Sequence, residues 1–277
     1  MTWQQWLTQA SARLRLAFSP SAKRDAEILL LLVTGATRTK ILSFGETPLT
    51  NTQFDMLTTL LARREQGEPI AYLTGECEFW SLQLHVSTAT LIPRPDTECL
   101  VQRALELLLP THAKVLDLGT GSGAIALALA SERPEWQITG IDRLPEAITL
   151  AKDNATRLGL HNVHFYEGNW YKPFQLQHYN LIVSNPPYIE ARDPHLSQGD
   201  VRYEPISALV AGKGGLQDLI AICRRVGTNL LPGSWLLLEH GWNQGETVRT
   251  HLTLAGFRQI STIRDYGNNE RVSQGQW

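Results

Sequence analysis

VLDLGTGSGAIALALA, residues Val115–Ala130, is the stretch on which the fold turns. Its first residues, with Lys114, form the short apolar segment KVLDL, which reads as a buried strand over 114–118. Its end, rich in alanine and leucine, reads as a helix starting near Ser122. Between them lie Gly119, Thr120, Gly121, Ser122 and Gly123. Alternate glycines let the chain turn tightly from strand to helix and let a ligand approach the backbone without interference from a Cβ. The first amides of the following helix are free to meet an anionic or polar group.

Outward from this loop, strand and helix patterns alternate. The strands read as KVLDL (114–118), QITGID (137–142), NVHFYEG (162–168), YNLIVS (179–184) and SWLLLEHG (234–241). Helices fall between most of them, one from near Pro145 and another over Gln217 to Leu230. The last residues read as a hairpin turning at Gly267-Asn268-Asn269. This is the pattern of an α/β fold, a doubly wound and mostly parallel sheet covered on both faces. Asp142 ends the second of these strands, 19 residues after Gly123, where a carboxylate can accept both ribose hydroxyls of an adenosine. Gly121, Gly123 and Ala126 also satisfy the G-x-G-x-x-A fingerprint. The loop alone therefore fits an S-adenosylmethionine site, a nicotinamide or flavin site, or a structural turn. Asn169 and Trp170 follow the third strand, placed to hydrogen-bond and flank an adenine, against the plainer reading of a loop tryptophan.

Residues 1–75 read differently, as a small helical bundle. Trp3, Trp6, Leu7, Ala10 and Leu14 recur at helical spacing behind Thr2 as N-cap. RDAEILLLLVTG gives an apolar helix stopped by Gly35. Thr50 and Gln53 form a capping-box pattern, with Gly67 as the stop. Residues 76–92 read as a β-hairpin and linker in which FWSLQLHVS alternates like a strand, and residues 93–277 as the sheet domain. LIPRPDTE is an extended connector, after which Asp96 or Thr97 caps a helix through Leu100, Ala104, Leu105 and Leu108. Arg94 in that connector either meets a ligand or partner, or pairs with a carboxylate.

Composition sets bounds on this picture. The 277 residues are 43% hydrophobic and 19% charged, with a net charge of -2, so no global pull towards nucleic acid or an anionic membrane is expected. Three scattered cysteines without a CxxC point to a reducing compartment and to neither a disulfide framework nor a zinc site. His161 and His164 lack neighbouring ligands and read as loop and strand residues. No apolar run reaches the roughly 18 residues of a membrane span, and the amphipathic start does not resemble a signal peptide. The expected location is the cytoplasm, with no membrane association and no metal.

The second decisive segment is LIVSNPPYIE, Leu181–Glu190. A buried strand runs into Asn185, Pro186, Pro187 and Tyr188. Two prolines fix φ twice, remove two donors and keep the preceding residues extended. In an open α/β sheet the ligand crevice lies beyond the strand ends, where strand order reverses. If the first and fourth strands are neighbours there, the glycine loop and the Asn-Pro-Pro-Tyr turn meet in one crevice. Such a turn suits methyl transfer to a planar NH2 group. Asn185 Oδ1 and the Pro186 carbonyl can accept its two N–H bonds, and Tyr188 can stack on it. These contacts strengthen as positive charge develops on nitrogen. No general base stands beside the motif.

NPPY together with VLDLGTGSGAIAL resembles the amino-methyltransferases of the class I S-adenosylmethionine-dependent fold. GEPIAYLTGECEFW, LIPRPDTE, NPPYI, DVRYEPISAL and RDYGNNERV extend the resemblance over the whole chain to the bacterial peptide chain release factor glutamine methyltransferases, the HemK-like family. The resemblance implies a seven-stranded Rossmann-like sheet. It implies S-adenosyl-L-methionine as cofactor, with S-adenosyl-L-homocysteine as product. It implies class 1 release factors as partners, the acceptor being the amide nitrogen of the glutamine in their Gly-Gly-Gln loop. It assigns Gly119, Thr120, Gly121, Ser122, Gly123, Asp142 and Trp170 to the cofactor and Asn185, Pro186, Pro187 and Tyr188 to the glutamine, with Asn185 close to both and Asn185, Pro186 and Tyr188 serving catalysis. Asn169 stands where related sequences often have Asp. The competing readings are a glutamine of a ribosomal protein, a DNA adenine methyltransferase, and a docking module without turnover. The second would need a base-reading domain that the roughly 90 residues after the motif do not accommodate.

Overall fold

The computed structural model describes residues 1–171 and 177–277. These form two compact units, one of Met1–Gly75 with Ser197–Tyr203 and the other of Glu76–Leu196 with Glu204–Trp277.

The first unit contains α1 (Trp3–Leu16), α2 (Ala22–Thr34), α3 (Arg38–Ser43), α4 (Asn51–Glu65) and α5 (Ile70–Thr74). Its ends are set locally. Thr2 and Gln5 close a capping box on α1, and Thr50 and Gln53 close another on α4. Gly35 ends α2 in the left-handed conformation. Trp3, Trp6, Ala10 and Leu14 of α1 pack against Leu29 and Leu30 of α2 and Leu57 and Leu61 of α4. Buried among these helices is the Arg64 guanidinium, which bonds Asp25 at 2.7 Å, Asp200 at 2.8 Å and the Glu68 carbonyl at 2.9 Å. Tyr203 donates to the Gln66 carbonyl at 2.8 Å. These bonds are what attach Ser197–Tyr203, distant in sequence, to this unit.

The second unit opens with an antiparallel hairpin, β1 (Glu76–Phe79) and β2 (Leu82–His85). The single strand expected from FWSLQLHVS is broken, because Trp80 and Ser81 both take positive φ, 51° and 59°. That is the two-residue turn whose twist matches a hairpin, made here without glycine or asparagine. A short 3₁₀ turn, Pro95–Thr97, leads into α6 (Glu98–Glu106). Neither Asp96 nor Thr97 caps α6 with its side chain, and Leu108 lies beyond the helix, fully exposed. Both side chains have other partners, described below.

There follow β3 (Lys114–Leu118), α7 (Ala124–Glu132), β4 (Gln137–Asp142), α8 (Pro145–Leu158), β5 (Val163–Glu167) and β6 (Tyr179–Ser184). Two short turns, α9 (Ile206–Leu209) and α10 (Gly212–Gly215), precede α11 (Gln217–Arg225), β7 (Leu230–Glu239), α12 (Gly245–Ala255), β8 (Arg258–Arg264) and β9 (Glu270–Gln276). The helix expected to reach Leu230 ends at Arg225 and continues as a 3₁₀ turn, Val226–Asn229.

Among the described residues β3 to β9 form one seven-stranded sheet, ordered β5-β4-β3-β6-β7-β9-β8, apart from the β1-β2 hairpin. It is parallel except for β9, which runs antiparallel to β7 and β8. Strand order reverses between β3 and β6, which pair directly from Val115↔Leu181 to Leu118↔Ser184. Side chains alternate across the sheet as the two-residue period requires. Val115, Leu181, Val183 and Leu237 face α6, α7 and α8. Leu116, Leu118, Ile182, Leu236 and Leu238 face α11, α12 and Phe257. No helix is long and apolar enough to cross a membrane, and no group of acidic, histidine or cysteine residues could hold a metal ion, among the described residues.

Arg64→Ala would leave Asp25 charged and buried without its partner, a defect that typically costs about 3–5 kcal/mol. We expect hydrogen-exchange protection in α2 and α4 to fall accordingly, with protection in β3 and β6 unchanged.

Candidate active site

The loop after β3 is held open by hydrogen bonds to the neighbouring strand end. Gly119 and Thr120 both donate to the Ile141 carbonyl, at 2.8 and 2.9 Å, and Gly123 donates to the Thr120 carbonyl at 2.8 Å. Gly123 takes φ 86°, and a Cβ on it would come within 3.0 Å of Leu127 and 3.1 Å of Phe165. Glycine is therefore required there for both conformation and space. Gly121 donates to Asp142 Oδ2 and Leu144 to Asp142 Oδ1, each at 3.0 Å. These bonds fix the carboxylate while each oxygen keeps a lone pair for another donor.

Beneath the loop lies Asp117, fully buried, accepting the Thr120 hydroxyl at 2.6 Å. Burial pushes its carboxyl up to about 7, opposed by the Thr120 hydroxyl and by the Ala126 amide in the first turn of α7. The cleft above has walls from Gly119–Ser122, Asp142–Leu144, Gly168–Trp170, Thr90–Leu91 and Pro93–Arg94, and it reaches Thr97, Asn185 and Pro187. The space between these walls, the open mouth included, is about 1000 Å³. The Trp170 ring lies over Gly119, where an added Cβ would stand 3.5 Å from it. Bare backbone at one end, a fixed carboxylate and an aromatic wall together fit an adenosine-bearing ligand.

The turn after β6 enters the same cleft. The Asn185 amide donates from Nδ2 to the Thr97 hydroxyl at 3.2 Å, which leaves Oδ1 free to accept. Pro186 is buried, and its carbonyl takes no hydrogen bond from the described residues. Tyr188 packs against the second core cluster and is not part of the cleft wall. Its hydroxyl donates to Glu239 Oε1 at 3.2 Å, and burial raises its pKa. The Tyr188 carbonyl accepts from Gln244 at 3.0 Å, and Gly215, φ 84°, lies so close that a Cβ on it would meet that carbonyl at 2.1 Å.

Arg94 is ion-paired with Glu204, as the carboxylate reading expected, and it also lines the cleft. Glu204 is buried and accepts the Ile92 amide at 3.0 Å, which ties the LIPRP connector to the YEP segment. Three residues given no part in the site from the sequence are Thr97, read only as a helix cap, Glu204 and Glu239. Only a carboxylate closing an otherwise apolar strand, as in LLLE, could have pointed to the last.

Comparison with known proteins gives this geometry its context. Residues 5–75 match the PrmC N-terminal domain model, and residues 110–244 match a methyltransferase domain model. The chain is 54% identical to the release factor glutamine methyltransferase of Escherichia coli (strain K12) over 277 residues, 100% of this chain and 99% of that protein. It is 56% identical to the protein of the same name from Salmonella typhimurium (strain LT2), again over 100% and 99%. The chain belongs to the release factor glutamine methyltransferase family. A solved methyltransferase from Pyrococcus furiosus shares the fold, with a TM-score of 0.55 at 16% identity over 79% of this chain and 98% of that one. Family membership makes the chain an enzyme of the protein-glutamine methyltransferase class. It also accords with the Rossmann-like sheet and implies use of S-adenosylmethionine.

In this family member two buried carboxyls carry a pH signature. Asp117 and Glu239 are each raised to about 7 by burial. Between the ordinary carboxylate range near 4 and the raised value, the folded state holds a proton that the unfolded chain has lost. Their contribution to stability is therefore complete below about pH 4 and lost as pH rises through about 7. Asp117→Asn removes one of these titrations. We expect its curve of unfolding free energy between pH 4 and 8 to be flatter than the wild type's, by a few kcal/mol at most at about 1.4 kcal/mol per unit. An unchanged slope in urea titrations across that range would contradict the assignment.

Proposed function

We propose that this chain transfers a methyl group from S-adenosyl-L-methionine to the side-chain amide nitrogen of the glutamine in the Gly-Gly-Gln loop of class 1 peptide chain release factors. The observation that carries the proposal is the meeting of two loops in one cleft. Asn185, with its Nδ2 already committed to Thr97, lies in the same wall as the glycine loop and Asp142. The names of the curated relatives support release factors as substrate. Membership in a translation-related family without a membrane-spanning helix among the described residues supports the cytoplasm as location.

Asp142 would accept the ribose hydroxyls, Trp170 and Asn169 would flank the adenine, and the bare backbone of Gly119–Gly123, its amides mostly committed within the loop, would let the rest of the cofactor approach closely. The cofactor supplies an electrophilic methyl group on a sulfonium. Asn185 Oδ1 and the Pro186 carbonyl accept the two N–H bonds of the glutamine amide and so aim its nitrogen. Pro187 keeps Pro186 extended and its carbonyl fixed. Tyr188, anchored through its hydroxyl and packed against the core, holds the end of the turn in place. Orientation of this kind contributes up to roughly 7–11 kcal/mol of barrier reduction. The helices of residues 1–75 serve recognition of the release factor.

Methyl transfer from labelled cofactor should mark an intact release factor and neither a factor with its Gly-Gly-Gln glutamine replaced nor unmethylated DNA. Label on DNA would reassign the planar amine to adenine, and label on the glutamine-less factor would move the acceptor elsewhere. Asn185→Ala should abolish turnover while leaving the unfolding midpoint close to wild type. Asp142→Ala should weaken binding of S-adenosyl-L-homocysteine by about 10- to 100-fold in calorimetry, the loss expected for charge-assisted hydrogen bonds of about 1.5–3 kcal/mol.

A further inference from the structure

An asparagine amide is useful as an acceptor only if its oxygen, not its NH2, faces the substrate. What decides this for Asn185 lies behind the cleft. Its Nδ2 donates to the Thr97 hydroxyl at 3.2 Å, so that hydroxyl must send its own proton elsewhere. Thr97 is buried, and the Glu239 carboxylate stands beside it, its charged form favoured by the Thr97 hydroxyl. Glu239 is 1% exposed. Its Oε1 already accepts the Tyr188 hydroxyl, while Oε2 is buried without another partner within hydrogen-bond distance among the described residues. A buried carboxylate oxygen in that condition draws the nearest available hydroxyl proton.

We propose that Glu239 is a positioning residue which, through the Thr97 hydroxyl, sets the orientation of the Asn185 amide and, through the Tyr188 hydroxyl, the seat of the tyrosine ring. The inference rests on the methyl-transfer reading given above. Ionised, Glu239 can only accept hydrogen bonds. The Thr97 hydroxyl, which offers a lone pair to Asn185 Nδ2, then turns its proton towards Oε2, and Oδ1 faces the cleft. Protonated, Glu239 can itself donate to Thr97. The Thr97 proton is then free to turn towards Asn185 Oδ1, which places the NH2 group opposite the N–H bonds of the glutamine. The two arrangements differ by the direction of the hydrogen bonds and the face of one amide, with no backbone movement.

The surroundings of Glu239 favour a pH-dependent choice between these states. From the loop after β6 it meets Tyr188. From the 3₁₀ turn before α6 it meets Thr97 and the charge of Asp96, and from β9 the charge of Arg271. Arg271 is shared, pairing with Asp265 at 3.0 Å and Asp96 at 3.4 Å and donating to the His240 carbonyl at 3.3 Å. Cys99 on α6 feels Glu239 as a negative neighbour and is itself pushed up to about 12, mainly by burial, so it stays a neutral thiol. His240, next in the chain, is lowered by burial and bonds Ser273 at 2.8 Å. The net result for Glu239 is a carboxyl raised to about 7 by burial, against the opposing effects of Thr97, Arg271 and Tyr188.

The test is steady-state methyl transfer to a release factor from pH 5.5 to 9, with S-adenosyl-L-homocysteine binding measured in parallel for the wild type, Glu239→Gln, Thr97→Val and Thr97→Ser. The wild type is expected to lose kcat on the acid side with an apparent pKa near 7. Glu239→Gln is expected to lose at least about tenfold in kcat and to lose the acid limb, with homocysteine-form affinity within about threefold of wild type. Thr97→Val should show a comparable kcat loss, and Thr97→Ser should recover most of it. Wild-type kcat and acid limb in Glu239→Gln overturn the inference, as does an equal loss of cofactor affinity. If Glu239→Gln does not fold, the threonine pair decides: a Thr97→Val enzyme with wild-type kcat overturns it. No transfer to the release factor by the wild type at any pH would instead remove the functional reading on which the inference stands.

Discussion

The parallel pairing of β3 with β6 is the constraint on which everything else in the second unit depends. It joins Leu118 to Ser184 at the point where strand order reverses, and the Ser184 hydroxyl seals the register by donating to the Leu118 carbonyl at 2.6 Å. A slip of one residue would turn Leu116, Leu118 and Ile182 towards the wrong helices. It would also separate two loops whose chemistry has meaning only together. One loop brings bare backbone and the other brings acceptors, and because their strands end side by side, neither needs a long excursion to reach the shared cleft.

Around that pairing the molecule places polar groups where apolar ones would cost less. Asp117 lies under the glycine loop and Glu239 under the Asn-Pro-Pro-Tyr turn, and both are fully enclosed. Each is tied to a hydroxyl, and burial raises each to about 7. Such groups destabilise the fold at neutral pH, and their compensation is local: they hold loops that contain too few side chains to pack themselves. Glu204 does the same for the LIPRP connector, where it is paired with Arg94.

Much of this is legible in the sequence wherever the cause is local. The capping boxes at Thr2 and Thr50, the stop at Gly35 and the strand–glycine–helix transition depend on neighbours within a few residues. So does the Asn185–Tyr188 turn. The adjacency of β3 and β6 follows from topology once the alternation is seen. What escapes is decided at long range or against propensity. Trp80 and Ser81 adopt positive φ because the hairpin imposes it, with no residue there that favours it. The helix α12 begins at Gly245 without a side-chain cap, so nothing announces it. Thr97 looks like an N-cap, but its hydroxyl is claimed by Asn185, 88 residues away. Ser197–Tyr203 joins the first unit through Asp200 and Arg64, a pair with no local pattern. Glu239 reads as the polar end of a strand, because only its neighbours reveal that it is buried.

Gly215 shows how far the acceptor turn depends on what lies outside it. The residue is not part of the cleft wall, yet the space where its side chain would begin is already taken by the Tyr188 carbonyl, 2.1 Å away. The turn is thus backed by an absence of atoms, and a single methyl group at that position would act as a built-in wedge. It would press on the tyrosine from behind while leaving the glycine loop after β3 untouched. At Gly215 the cost of a substitution is set by clearance around the Tyr188 carbonyl.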